Sequence, residues 1–220
     1  MPGPLIRPGF SLPEVVLRFA ASACAVLWLL HLGGPVLVRP LAAPLRAVMQ
    51  WLDPAFTITD IGAAARGPRL ELYIRATPAR PTPMRPSTAS ASGTPGGPGA
   101  PPEELLIARE IDNVFQYAAL ALIVAFAWPG TTGEMGARLL IALPLSLLLV
   151  LIDVPSEALG DLWSLLHRLH PEIAAAGSGW TIWGRLLMGG GGLALGLMVA
   201  AVAISAPIAV IKNSHPPASV

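Results

Sequence analysis

Four stretches of this chain are nearly free of charge, and that pattern restricts what it folds into more than any motif does. Phe19–Val38, Ile111–Trp128, Leu139–Ile152 and Leu186–Ile211 hold only His31, and Asp112 at the start of the second, among all Asp, Glu, Lys, Arg and His side chains. A charge at the centre of a bilayer costs about 3 kcal/mol or more, so apolar runs of about 20 residues match a hydrocarbon solvent. The expectation is an all-α membrane protein with four transmembrane helices. Composition supports it, with 12% charged residues and a mean hydropathy of +0.64, where soluble domains carry about 25% charge.

A formal net charge of +1 supplies no basic footprint for nucleic acid, and the 14 cations are dispersed along the chain. All but Lys212 are Arg, a bias that with abundant Ala, Gly and Pro suits a GC-rich bacterial genome. Cys24 is the single cysteine, so an intrachain disulfide is impossible. The sequence around it, Ala21-Ser22-Ala23-Cys24, is only loosely like a lipoprotein cleavage box, because the apolar run follows the cysteine where it should precede it. The first segment reads as an uncleaved signal anchor.

The periodicities between the apolar runs divide the chain further. Residues 1–38 form an N-terminal tail and the anchor helix, with Ser11 as N-cap and Pro13 and Glu14 in the first turn. Residues 39–76 form an exported segment. After Arg39-Pro40, Leu41, Leu45, Val48, Met49 and Leu52 recur at helical spacing, which predicts a short interfacial amphipathic helix ending at Trp51. Phe56–Ile61 and Leu70–Ile74 alternate with period two and predict a small extramembrane β-hairpin joined by Gly62–Arg69. Residues 77–102 are rich in Pro, Ser and Gly and predict a disordered tether. Residues 103–212 form a three-helix transmembrane region, with Glu103–Glu110 as a helix entry. Asp153-Val-Pro-Ser-Glu157 reads as a break before an interfacial helix over 156–170, whose Leu159, Leu162, Trp163, Leu166 and Leu169 share one face. Residues 213–220 are a C-terminal tail. At 14 residues, or about 21 Å of rise, Leu139–Ile152 is the shortest expected span.

Orientation rests on the short flanks. Arg7, Arg18, Arg138 and Lys212 border one side, whereas the turn from Asp153 to Arg185 holds four acids against two arginines. The positive-inside rule therefore puts both termini in the cytoplasm of a multi-pass bacterial inner-membrane protein.

Candidate chemistry is sparse. His31 is a histidine within an apolar span, a position that raises a functional question. His167 and His170, at i and i+3, stand near Glu157 and Asp161, and Asp153 closes the third apolar run; these four, His31, Asp153, His167 and His170, are the functional candidates. For His167 and His170 with Glu157 and Asp161, an interfacial helix with a solvated polar face is the stronger explanation than a metal site, and no spacing fixes a third strong ligand. Gly192, Gly196 and Ala200 make a small-residue ridge suited to close helix packing, inside the bundle or between copies. Neither a nucleophile with its base nor a phosphate-binding glycine loop is recognisable, so no catalytic, cofactor or metal site is assigned.

The anchor LRFAASACAVLWLLHLGGPVLVRPLAAPL, an exported segment ending in ELYIRA, and the entry IDNVFQYAALALIVAFAWPG together resemble the exosortase H-associated membrane proteins. The likeness covers most of the chain apart from the 77–102 tether. It implies a non-enzymatic accessory or scaffold beside an exosortase, the membrane enzyme that processes proteins bearing a C-terminal sorting signal. The implied partners are the lipid bilayer and another membrane protein, with no cofactor. A small transporter or channel subunit is the alternative, disfavoured by the near absence of polar groups at mid-membrane.

Overall fold

Long helices dominate because the apolar runs are rich in Leu and Ala, which favour the helix, and they continue through several interior prolines. The computed structural model describes residues 11–67, 69–79, 104–171 and 178–213. In chain order these form α1 (Leu12–Leu52), β1 (Phe56–Arg66), β2 (Arg69–Pro78), β3 (Leu105–Glu110), α2 (Ile111–Val114), α3 (Gln116–Ala127), α4 (Thr132–Leu169), α5 (Ser178–Leu186), a π-helical turn Leu187–Gly191, and α6 (Gly192–Asn213). Among the described residues three helical stretches are long and apolar enough to cross a membrane: Leu12–Gly34, Thr132–Leu169 and Gly179–Ala206. The chain is thus mostly helical with one small sheet, and it has the apolar helices of a multi-pass membrane protein. Two compact units divide it.

The first unit comprises residues up to Leu37, Ile111–Val154, and those from Leu186 onward. Its helices meet through small side chains. Val26 of α1 packs with Ala119 and Ile123 of α3, flanked by Ala23, Leu30 and Leu122. Ala125 of α3, Ala142 of α4 and Ala203 of α6 form a second cluster. Only 6% of the α1 stretch is buried, against 28% for each of the other two, so α1 leaves most of its apolar surface for lipid. At the α3–α4 turn, Thr131 and Glu134 form a reciprocal capping box: Thr131 N–H donates to Glu134 Oε2 at 3.0 Å and Glu134 N–H to Thr131 Oγ1 at 3.3 Å. Buried Arg138 donates from Nη1 to the Trp128 carbonyl at 2.7 Å and from Nη2 to that of Pro129 at 3.1 Å, satisfying the end of α3.

The second unit comprises Val38–Glu110 and Pro155–Arg185. Its sheet is antiparallel in the order β1-β2-β3. Phe56, Ile58, Ile61, Leu72, Ile74, Ala76 and Leu105 are buried. Ile58 and Ile61 are out of phase for a regular strand, and a register shift between Ile58 and Asp60 restores the phase. Arg46 of α1 donates from Nη2 to the Thr59 carbonyl at 3.2 Å, which ties this irregularity to the helix. The residues of α1 in this unit bury Val38, Leu45 and Met49 completely or nearly so. Gly160 of α4 and Gly184 of α5 allow those two backbones to approach closely, since a Cβ on either would touch the other's Cα within 4 Å.

Several expectations are corrected. The helix expected to end near Arg39-Pro40 continues through Pro40 and Pro44 to Leu52, so the 39–52 amphipathic helix is the last part of α1. Likewise no break occurs at Asp153, and the 156–170 segment is the last part of α4 rather than a separate interfacial helix. Each interior proline costs about 3 kcal/mol, and here the turns that follow bury Leu45 and Met49, or Leu159 and Leu162, which offsets it. The expected helix entry at Glu103–Glu110 is largely strand β3, paired with β2 from Glu71↔Glu110 to Ala76↔Leu105. The hairpin is therefore part of a three-stranded sheet, and its strands run to Arg66 and from Arg69, leaving the turn at Gly67, φ 64°, instead of a loop from Gly62. The shortest apolar helix is α3, about 18 Å of rise. Most of the 77–102 tether, the first ten residues and the 214–220 end lie outside the described residues.

Candidate functional site

The densest set of polar contacts lies in the second unit, where α4 carries Glu157 and Asp161 one turn apart. That spacing puts both carboxylates on one helical face. Strand β3 brings Arg109 to them. Its Nη1 pairs with Glu157 Oε2, its Nη2 lies 2.6 Å from Asp161 Oδ2, and its Nε donates to the same oxygen at 2.8 Å. The Glu157 side chain is 10% exposed and that of Asp161 34%, so the cluster runs from buried to half-exposed. One guanidinium faces two carboxylates, and the formal excess is one negative charge.

Two residues beyond Asp161, Trp163 makes a second clip. Its Nε1–H donates to Asp53 Oδ2 at 2.7 Å, while Asp53 Oδ1 accepts from Ala55 N–H at 2.9 Å and so shapes the turn from α1 into β1. Phe56, the first residue of β1, meets Trp163 edge-on at 5.2 Å between centroids and 76° between planes. Strand β1 and the turn before it are thus fixed on α4 by Trp163, and β3 by Arg109. The outer face of the sheet remains exposed or half-exposed. There Tyr73 lies opposite Gly62, where a Cβ would come within 2.4 Å of its hydroxyl, so glycine is required for the ring to lie across β1. A hydrogen bond to the Asp60 carboxylate, and then that carboxylate's charge, push the Tyr73 hydroxyl above its ordinary pKa, while Arg75, 5.9 Å from the ring centroid, acts in the opposite sense.

The candidates read from the sequence fall elsewhere. His31 is exposed on α1, and Asp153 is buried at 4% exposure on α4. About 21 Å of helical rise separates Asp153 from His167, so these two belong to different sites. His167 is half-buried with its ring tilted against Trp163 at 5.8 Å, and His170 is half-buried with its backbone N–H donated to the Leu166 carbonyl. Among the described residues no group of three or more His, Cys, Asp or Glu is placed to hold a metal ion. Gly192 and Gly196 form a seat for Tyr117 of α3: a Cβ at Gly192 would meet the Tyr117 ring at 2.2 Å, and one at Gly196 its carbonyl oxygen at 2.8 Å. Ala200 is buried one turn further along α6.

Arg109, Asp53, Arg138 and Tyr117 were not singled out by sequence. The i, i+4 acids on α4 were the available signal for the first, but their partner is 48 to 52 residues away. Chemically the arrangement is a set of clips that fix a sheet on a helix, with its hydrogen-bonding capacity directed at protein groups. Comparison with protein-family models, curated proteins and solved structures found no match to this chain.

Proposed function

We propose that this chain is an integral-membrane accessory or scaffold of a bacterial exosortase-type protein-sorting or envelope-assembly system, acting by contact and without catalysis. The observation that carries the reading is the second unit itself: a small sheet held on α4 by Arg109 and Trp163, with a polar outer face that includes Thr57, Tyr73 and Arg75. A two-stranded hairpin alone is marginal in water, and the third strand together with packing against a helix supplies the support it needs. Fixing it on helices makes it a surface of constant shape, which lowers the ordering cost of recognising a partner. The membrane is the bacterial inner membrane, and both termini face the cytoplasm. Helices α2 and α3 together rise about 26 Å from Ile111 to Ala127 and act as the fourth span.

Deletion of the encoding gene tests the reading. Exported proteins with a C-terminal sorting signal are expected to accumulate unprocessed and to be rescued by the wild-type chain. Normal processing in the deletion strain would overturn it. The alternative of a small transporter or channel subunit draws support from one feature, the non-helical Gly190 inside the last candidate span, since interrupted helices form many transport sites. Flux of a small solute in proteoliposomes containing only this chain would favour it.

A further inference from the structure

We propose that Gly189–Gly192 is a hinge in the last span and that Tyr117 is the latch that sets it. The inference concerns a moving part of the first unit and stands apart from the sorting role.

The backbone supplies the first argument. Gly190 has φ 120°, a conformation that L side chains rarely adopt, inside a π-helical turn from Leu187 to Gly191. A Cβ at Gly189 or Gly190 would meet nothing within 4 Å, so neither glycine is there to admit a neighbour. At Gly190 the requirement is conformational. Gly191 is constrained by the bulge as well, because its Cβ would lie 2.9 Å from the Leu186 carbonyl oxygen. A run of four glycines also weakens the straight helix, because glycine loses the most backbone freedom on becoming helical. The two forms, bulged and straight, are thereby brought closer in energy.

Tyr117 supplies the second. It occupies the first turn of α3, directly after Phe115, whose φ of −102° and ψ of 2° interrupt the helical path from α2. Its ring fills the space that the missing Gly192 side chain leaves, and its hydroxyl donates to the Leu187 carbonyl at 3.4 Å. Leu187 also accepts from Gly192 N–H across the wide π turn. A broken backbone in hydrocarbon persists only where its polar groups find partners, and Tyr117 provides one through a long and readily broken bond. Seating the tyrosine favours the bulge. Withdrawing it removes that donor and opens the space beside Gly192, which favours the straight helix.

The test is a distance measurement on the full chain in lipid nanodiscs. Spin labels go at Leu186→Cys and Val202→Cys, both exposed and on either side of the bulge, with Cys24→Ser as background. Tyr117→Phe, which keeps the ring and loses the hydroxyl, is expected to change the distance distribution, shifting the ratio of bulged to straight forms at least threefold. Gly190→Ala is expected to move the population to the straight form, because alanine disfavours the positive φ. A Tyr117→Phe distribution superimposable on that of wild type would overturn the latch. Should that variant fail to fold, retention of the wild-type distribution by Gly190→Ala would overturn the hinge.

Discussion

The two units achieve close packing by opposite means. In the first, contacts among helices are made by Ala119, Ala125, Ala142 and Ala203 and by glycines that receive a tyrosine. In the second, the sheet is fixed by a partly buried guanidinium–carboxylate cluster and by an indole donating to an aspartate. The difference follows from the solvent each set of residues suits. Among apolar helices in lipid there is little hydrophobic gain on association, so small residues that bring backbones together provide the packing. A polar sheet needs directional bonds to select one placement on its helix, and charged hydrogen bonds supply them.

Breaking the ionic clip should have the largest effect. Arg109→Met leaves Glu157 buried without its cation and is expected to destabilise the second unit by about 3 kcal/mol or more, measured by SDS titration in mixed micelles. Adding Glu157→Gln and Asp161→Asn should recover most of the loss. Equal instability of single and triple variants would show that the cost lies in packing and not in the stranded charge. Trp163→Phe keeps the aromatic contact with Phe56 but removes the donor to Asp53, and about 2 kcal/mol should be lost in the same titration. In the first unit the sensitivity is steric. Gly192→Ala puts a methyl group into the Tyr117 ring and should cost about 1 to 2 kcal/mol, whereas Gly133→Ala, at a position with open space, should cost little by comparison.

The smallest effect is expected at high pH. Tyr73 ionises above its ordinary value of 10.0 because Asp60 opposes the phenolate. Its contribution to the folded sheet is therefore complete below about pH 10 and is lost as pH rises through the folded-state value. Absorbance of tyrosinate should show Tyr73 titrating late in wild type, and earlier in Asp60→Asn. An unchanged titration in that variant would remove Asp60 as the cause.

The apolar helices were legible because hydropathy acts locally, and each charge-free run coincides wholly or largely with helix. Element ends were less legible, because Pro40 and Pro155 read as breaks while the cost of a proline is set against burial that only the tertiary structure reveals. Strand β3 was hidden for a related reason. Leu105-Leu-Ile-Ala-Arg-Glu110 shows no clear alternation, and its pairing depends on the edge of β2, 29 to 39 residues earlier. The clips share that dependence. Glu157 and Asp161 announce a face on α4, but Arg109 and Asp53 reach it only after the chain has folded.

In the proposed role the apolar unit anchors the chain and the polar sheet contacts a partner, and site-specific photocrosslinking in native membranes measures that division directly. A photoreactive residue at Leu106, exposed on β3, should give an adduct with the sorting enzyme, while one at Leu197, exposed on α6, should react with lipid alone. Enzyme adducts at Leu197 with none at Leu106 would contradict the account.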